Sequence, residues 1–276
     1  MFKGFYTAAT GMLSQQRKTE MLTNNLANVD TPGYKADQAS LRAFPEMLLS
    51  RIGSQELPVQ NGFNVLTQNP IGSINTGVYM QEITPDFIQG ALKDTGLSTD
   101  LALVNAVMPE VDGQAGSVFF NIEHSSGDTY YTRNGNFSVD PEGFLTTAQG
   151  YYVLNDAGER IQVNSSNFQV TEDGFLLVDG QVTSRLGISY AANPLLLMKD
   201  GNGLFRLEEG ELPLAYGQAG VEFNVYQGSL ERSNVDSAKA MTDLLASYRT
   251  FEANQKVLQA YDRSMDKAVN EIGKIG

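Results

Sequence analysis

The residues with chemical potential are few. His124 is the single histidine of the 276-residue chain, and there is no cysteine. Thiolate metal sites, cysteine nucleophiles, disulfides and any site needing two histidines are therefore excluded. As a general base, His124 would need a nucleophile and an orienting carboxylate. Ser125 and Asp128 stand nearby in Phe119-Phe-Asn-Ile-Glu-His-Ser-Ser, a pattern that hairpin ends also produce. Glu208, Glu209 and Glu211 are dense enough to suggest a cation site. Metal ligands usually converge from several segments, so a solvated acidic turn is the simpler reading. No phosphate-binding loop or strand-linked Gly-x-Gly-x-x-Gly occurs. No catalytic residue, metal site or cofactor is expected.

The amides of Asn24, Asn25 and Asn28 offer another chemistry. Each side chain both donates and accepts, so it can cap a helix end and bond a neighbouring molecule at once. Leu26 and Val29 would anchor such a contact.

The elements that hold these residues follow from periodicity. Residues 2–28 carry apolar side chains at Phe2, Phe5, Ala9, Met12, Leu22 and Leu26, which predicts a helix. Asp30-Thr31-Pro32-Gly33 stops it, and Pro32-Gly33 suits the centre of a type II turn. Residues 36–85 are mixed, with a short helix suggested around Pro45 and an extended connector elsewhere. Residues 86–228 alternate β-branched and aromatic runs with turn signals, as all-β domains do. Asn134-Gly135 predicts a tight hairpin between Thr129–Arg133 and Asn136–Val139. Asp140-Pro-Glu-Gly143 and Glu172-Asp173-Gly174 predict two similar hairpins. Residues 233–273 predict a long helix with a stripe at Met241, Leu244, Tyr248, Phe251, Gln255, Leu258, Asp262, Met265, Val269 and Ile272, sustained enough for a coiled-coil seam.

The expected fold is α+β: long N- and C-terminal helices paired as a coiled coil, with a central all-β domain. The boundaries fall at 1–35, 36–85, 86–228 and 229–276. Isolated helices are marginal in water, so the ends are expected to order fully only on assembly, leaving a protease-stable fragment of about residues 40–230.

Charge supports this division. The chain has 19 basic and 32 acidic residues, a net charge of −13, which argues against nucleic-acid binding. The ends are near neutral, +2 over residues 1–35 and zero over 230–276, while the middle carries −15. Near-neutral ends pack against copies of themselves without strong repulsion. No apolar run is long enough to cross a bilayer, and the first residues lack the apolar core of a cleaved signal. A protein not inserted in a membrane is expected.

Two terminal motifs carry a resemblance. Asn24-Asn-Leu-Ala-Asn-Val-Asp-Thr-Pro-Gly-Tyr-Lys35 is similar to the N-terminal motif of bacterial flagellar rod and hook proteins. Gln227-Gly-Ser-Leu-Glu-Arg-Ser-Asn-Val-Asp236, continuing into Tyr248-Arg-Thr-Phe-Glu-Ala-Asn254, resembles their C-terminal motif. Gln89-Gly90, Thr95-Gly96 and Tyr131-Thr-Arg-Asn-Gly-Asn-Phe137 resemble phrases of the rod subfamily's β region. The chain departs from the pattern after Leu103: the usual Gly-x-Gly step is missing and the aromatic pair Phe119-Phe120 comes late.

The resemblance implies a structural, non-enzymatic subunit of the flagellar basal-body rod. Such subunits stack into a hollow shaft that transmits torque and passes exported subunits. Its partners would be other rod and hook subunits, copies of itself and the flagellar type III export apparatus, which handles it without a cleaved signal. A hook-type axial protein is the alternative within the superfamily; a secreted β-rich polysaccharide-binding protein is one outside it. The expected assembly interface comprises Asn24, Asn25, Leu26, Ala27, Asn28, Val29, Thr31, Pro32, Gly33 and Tyr34, with Met241, Leu244, Tyr248, Phe251, Leu258, Met265, Val269 and Ile272.

Overall fold

The computed structural model describes residues 2–57, 63–111, 113–163 and 168–272. The chain is α+β, with a helix near each end and a mostly β middle. It forms two compact units, neither continuous in sequence. One contains residues 1–24, 38–83 and 238–276; the other contains 25–37 and 84–237.

The first unit opens with α1 (Phe2–Ala27). Strands β1 (Asp37–Ala43), β2 (Met47–Leu57), β3 (Phe63–Ile74) and β4 (Val78–Pro85) follow. Pro45 therefore sits in a short connection between two strands, not in a helix. β2 and β3 form a long two-stranded ribbon with a register shift at Leu49/Ser50, and β1 pairs with β4. Leu48, Ile52 and Ile71 on the ribbon are exposed. Hydroxyls fasten one side of α1 to the start of β4. Thr7 Oγ1 donates to the Thr76 carbonyl at 3.2 Å and Ser14 Oγ to the Val78 carbonyl at 3.0 Å.

In the second unit, β5 (Leu92–Asp94) pairs with β21 (Ser229–Glu231), and β6 (Leu101–Val107) with β20 (Glu222–Gln227). Between β6 and the next long strand lies a small hairpin, β7 (Glu110–Val111) and β8 (Gln114–Ala115), which occupies the segment where the sequence departs from the rod pattern. The main sheet has eight strands around β9 (Ser117–Glu123). β10 (Thr129–Thr132) lines one edge of β9. β11 (Phe137–Val139) and β12 (Leu145–Thr147) form a hairpin that continues into β13 (Tyr152–Val153). A separate three-stranded sheet comprises β14 (Gln169–Val170), β15 (Phe175–Val178) and β16 (Gln181–Arg185). β17 (Ile188–Ala191) shares the second edge of β9 with β13. β18 (Leu197–Lys199) and β19 (Leu204–Leu207) extend the sheet beyond β10.

β9 is buried on both faces, which explains its nearly unbroken apolar run. Val118, Phe120 and Ile122 enter the main core with Leu101, Leu145 and Ile188. Phe119 points the other way, into a smaller cluster with Tyr131, Leu197 and Phe205.

The two expected Asp/Gly hairpins form. Gly143 (φ +88°) closes β11–β12 and Gly174 (φ +79°) closes β14–β15. The Asn134-Gly135 hairpin does not form: β10 pairs with β9 and β19, and β11 pairs with β12. Gly135 serves close approach instead. Leu101 N–H donates to its carbonyl at 3.0 Å, and a Cβ at Gly135 would collide with the Leu101 carbonyl.

The chain ends in α2 (Ser237–Lys267), followed by a π-helical turn over Ala268–Ile272. Along α2 and into the turn after it, a shielded line passes through Ala240, Leu244, Ser247, Phe251, Asn254, Leu258, Tyr261, Met265 and Ala268, in alternating steps of four and three. Gly4 of α1 abuts the Tyr261 ring and hydroxyl, and Gly11 abuts the Asn254 amide. Leu244, Phe251, Leu258 and Met265 of the expected stripe lie on this line. Met241 (49% exposed), Tyr248 (51%) and Val269 (72%) lie on an open flank. The side chain of Ile272 lies outside the described residues. Among the described residues no helix is long and apolar enough to cross a membrane.

Candidate functional site

The terminal motifs meet inside the second unit. Pro32-Gly33 makes the expected turn: Gly33 has φ +68°, and Tyr34 N–H donates to the Thr31 carbonyl at 3.3 Å. Only glycine fits, because a Cβ there would strike the Arg133 carbonyl group. Gly33 N–H donates to the Glu231 carbonyl at 2.8 Å, joining the N-terminal motif to the C-terminal one.

Beneath this turn lies a buried ion node. Lys35, Arg133 and Glu231 are each 1% exposed. Lys35 Nζ donates to Glu231 Oε1 at 2.7 Å and to the Ile88 carbonyl at 2.8 Å. Arg133 engages Glu231 Oε2 through Nε at 2.9 Å and Nη2 at 2.8 Å. Its remaining N–H groups reach Asn105 Oδ1 and the carbonyls of Val118 and Leu103 at 2.8–3.0 Å. Gly90 N–H completes the shell of Glu231 Oε1 at 2.9 Å. Burial, and then the Arg133 charge, lower the Lys35 pKa to about 8. For Glu231, burial pushes the carboxyl up, but Arg133, Lys35 and their hydrogen bonds outweigh it and hold it below the usual range. The node carries two cations against one anion.

Two asparagines finish the collar. Asn25 is buried; its Nδ2 donates to the Asp37 carbonyl and its Oδ1 accepts from Asp37 N–H, both at 2.8 Å, and from the Tyr34 hydroxyl at 3.1 Å. Asn234 Oδ1 accepts from Ala36 N–H at 2.7 Å while its Nδ2 donates to the Asp86 carbonyl at 2.8 Å. Asp86 N–H bonds the Ala36 carbonyl at 2.8 Å. The second unit's two segments begin or end at residues 25, 37, 84 and 237, and these bonds tie together the chain near all four of those points within that unit. Lys199 Nζ braces the collar from outside, 2.9 Å from Asp37 Oδ1 and 4.2 Å from the centre of the Tyr34 ring. Burial, then the Asp37 charge, raise the Tyr34 pKa above its usual range.

The predicted interface residues thus divide. Asn25, Gly33 and Tyr34 are buried within this chain, so their amide, turn and ring are already committed. Asn24 and Ala27 are exposed; Leu26, Asn28 and Val29 are half-buried. Asn28 Oδ1 accepts the Thr31 hydroxyl at 3.2 Å. Val29 and Pro32 line an open cleft of about 480 Å³ with Leu92 and Leu230. Lys35, Arg133 and Glu231 were not among the sequence candidates. Their signal was one charged residue within each of three motifs.

The other candidates have no such convergence. His124 stacks on Tyr130 at 4.5 Å, and its Nδ1 meets Ser126 Oγ at 3.1 Å. Asp128 bonds that serine at 2.8 Å, so the carboxylate does not orient the imidazole. Glu208, Glu209 and Glu211 sit exposed in a bend.

The comparisons with known proteins fall on the same segments. Residues 5–35 match the flagella basal body rod protein model, 115–178 the flagellar hook protein FlgE/F/G D1 domain, and 226–271 the flagellar basal body rod FlgEFG protein C-terminal region. The flagellar hook-basal body complex protein FlhO of Bacillus subtilis is 45% identical over the full length of both chains. This chain belongs to the flagellar basal-body rod family. Two further members share less: FlgG of B. subtilis is 32% identical over 98% of this chain and 99% of its own, and FlgF of Caulobacter vibrioides 27% identical over the whole of both. The rod family is structural, not enzymatic, and belongs to the flagellar basal body. In this chain, the collar is where the two matched terminal segments close on the β unit.

Proposed function

We propose that this chain is an axial subunit of the flagellar rod, stacking with copies of itself and with other rod and hook subunits into a hollow shaft that transmits torque. In this reading α1 and α2 pair as an antiparallel coiled coil, and the small residues Gly4 and Gly11 allow close approach. The observation that carries it is the second apolar face of α2. A helix with one stripe already shielded still exposes Met241, Leu245 and Tyr248 close together, a face that a monomer has no reason to keep. Neighbouring subunits would cover this face and the exposed side of Asn24, Ala27 and Val29. Passage through the flagellar type III export apparatus fits a chain without cysteine.

The test is Met241→Asp with Tyr248→Asp, supplied as the only copy in a motile host. The purified variant should keep wild-type helix content, yet be missing from isolated basal bodies, and the cells should not swim. Normal swimming with the variant present in basal bodies would refute the assignment of this face. Phe251→Asp with Leu258→Asp strikes the shielded line instead, and should also lower helix content.

A further inference from the structure

We infer that Glu231 is the closing latch of the collar, so that the N-terminal motif docks only after the C-terminal motif has delivered its carboxylate. The inference concerns a single chain and goes beyond the assembly reading. Lys35 and Arg133 are both buried, and the carboxylate that touches both is Glu231. Glu231 lies 98 residues beyond Arg133 and 196 beyond Lys35. Until it arrives, docking residues 25–37 would bury two like charges side by side, with carbonyl oxygens and the Asn105 amide oxygen for company and only the weaker influence of Asp86 on Lys35 as counter-charge. Carbonyl dipoles solvate a cation but do not cancel its charge, and burying an uncompensated ion is strongly unfavourable.

The latch closes with main-chain bonds that need the same segment. Gly33 N–H bonds the Glu231 carbonyl, Arg232 N–H the Ala91 carbonyl, and Gly90 N–H the Glu231 carboxylate. Three residues on, Asn234 captures Ala36 and Asp86. One short segment, Glu231 to Asn234, therefore supplies both the counter-charge and the clasp. A chain lacking it would hold its β core while its N-terminal motif stayed undocked.

Amide hydrogen exchange on the full-length chain tests this. In Glu231→Gln, the amides of Gly33, Ala36 and Asp37 should exchange at least 100-fold faster, while those of the Ser117–Glu123 strand change less than tenfold. Unchanged collar rates would overturn the inference, as would collar and sheet accelerating by the same factor. The double variant Lys35→Met, Glu231→Gln removes one of the two repelling cations and should regain at least tenfold of the lost protection. A simple packing role predicts further loss instead, so no recovery also overturns it. Should Glu231→Gln fail to fold, the double variant should still fold under the same conditions, and its failure counts against the latch.

Discussion

Replacing Arg133 by methionine should be among the most damaging single changes in the β unit, and its size can be worked from the contacts. Methionine keeps much of the stem volume, so the cavity term is small. What disappears is the fork: two bonds to Glu231 Oε2, one to Asn105 Oδ1 and one each to the Val118 and Leu103 carbonyls. Breaking a buried ion pair by removing one partner costs about 3–5 kcal/mol. Glu231 retains Lys35 and Gly90, which limits the loss, but each bared buried carbonyl adds about 1–3 kcal/mol. These contributions share one site and do not add, so about 4 kcal/mol is expected. Lys35→Met behaves differently. It gives up two bonds, but leaves Arg133 and Glu231 as a neutral pair and removes a repulsion; about 1 kcal/mol is expected. In urea unfolding followed by far-UV circular dichroism at pH 7, a slope of about 2 kcal/mol/M would place the Arg133→Met midpoint about 2 M below wild type. A loss under about 1 kcal/mol, or Lys35→Met proving the costlier change, would refute the reasoning.

Two further predictions concern the same region. Gly33→Ala forces a Cβ into the Arg133 carbonyl at positive φ, and should cost at least about 2 kcal/mol in urea unfolding, whereas Gly72→Ala, with open space around it, should stay within about 0.5 kcal/mol. Stability should also rise with pH between about 8 and 10. Folded Lys35 loses its proton near 8 while the unfolded chain holds it to about 10.5, so the unfolded state binds more protons across that window. Above pH 10 the trend should reverse, because buried Tyr34 and Tyr216 stay protonated when folded and ionise when unfolded. Urea midpoints from pH 7 to 11 check both limbs, and Lys35→Met should lack the rise.

Local signals in the sequence translated well where one segment suffices. Both helices, the Pro32-Gly33 turn and the Asp140–Gly143 hairpin are written in consecutive residues. Two readings differ from the structure in part or in full, for physical reasons. The shielded line of α2 alternates Leu, Phe and Met with Ala, Ser, Asn and Tyr, and a count of large apolar residues cannot see a seam half built from small and polar ones. It therefore ran Leu244, Phe251, Leu258 and Met265 of the shielded line together with the outward-facing Met241, Tyr248 and Val269 in one stripe. Asn134-Gly135 is the strongest local hairpin signal, yet packing of Gly135 against Leu101 prevails. The collar was illegible because its partners are far apart in sequence. A fragment of residues 40–230 would even cut both Lys35 and Glu231 away from Arg133.

The interrupted layout of the two units limits how such a gene can change. Each unit is stitched from separate stretches of one reading frame, so no single recombination joint can exchange, duplicate or delete either of them. Novelty has to enter as small inserts within turns, where the surrounding pairing survives. The hairpin between Val107 and Ser117 sits where such a change would be tolerated: it lies in a connection, and the flanking strands keep register with their own partners.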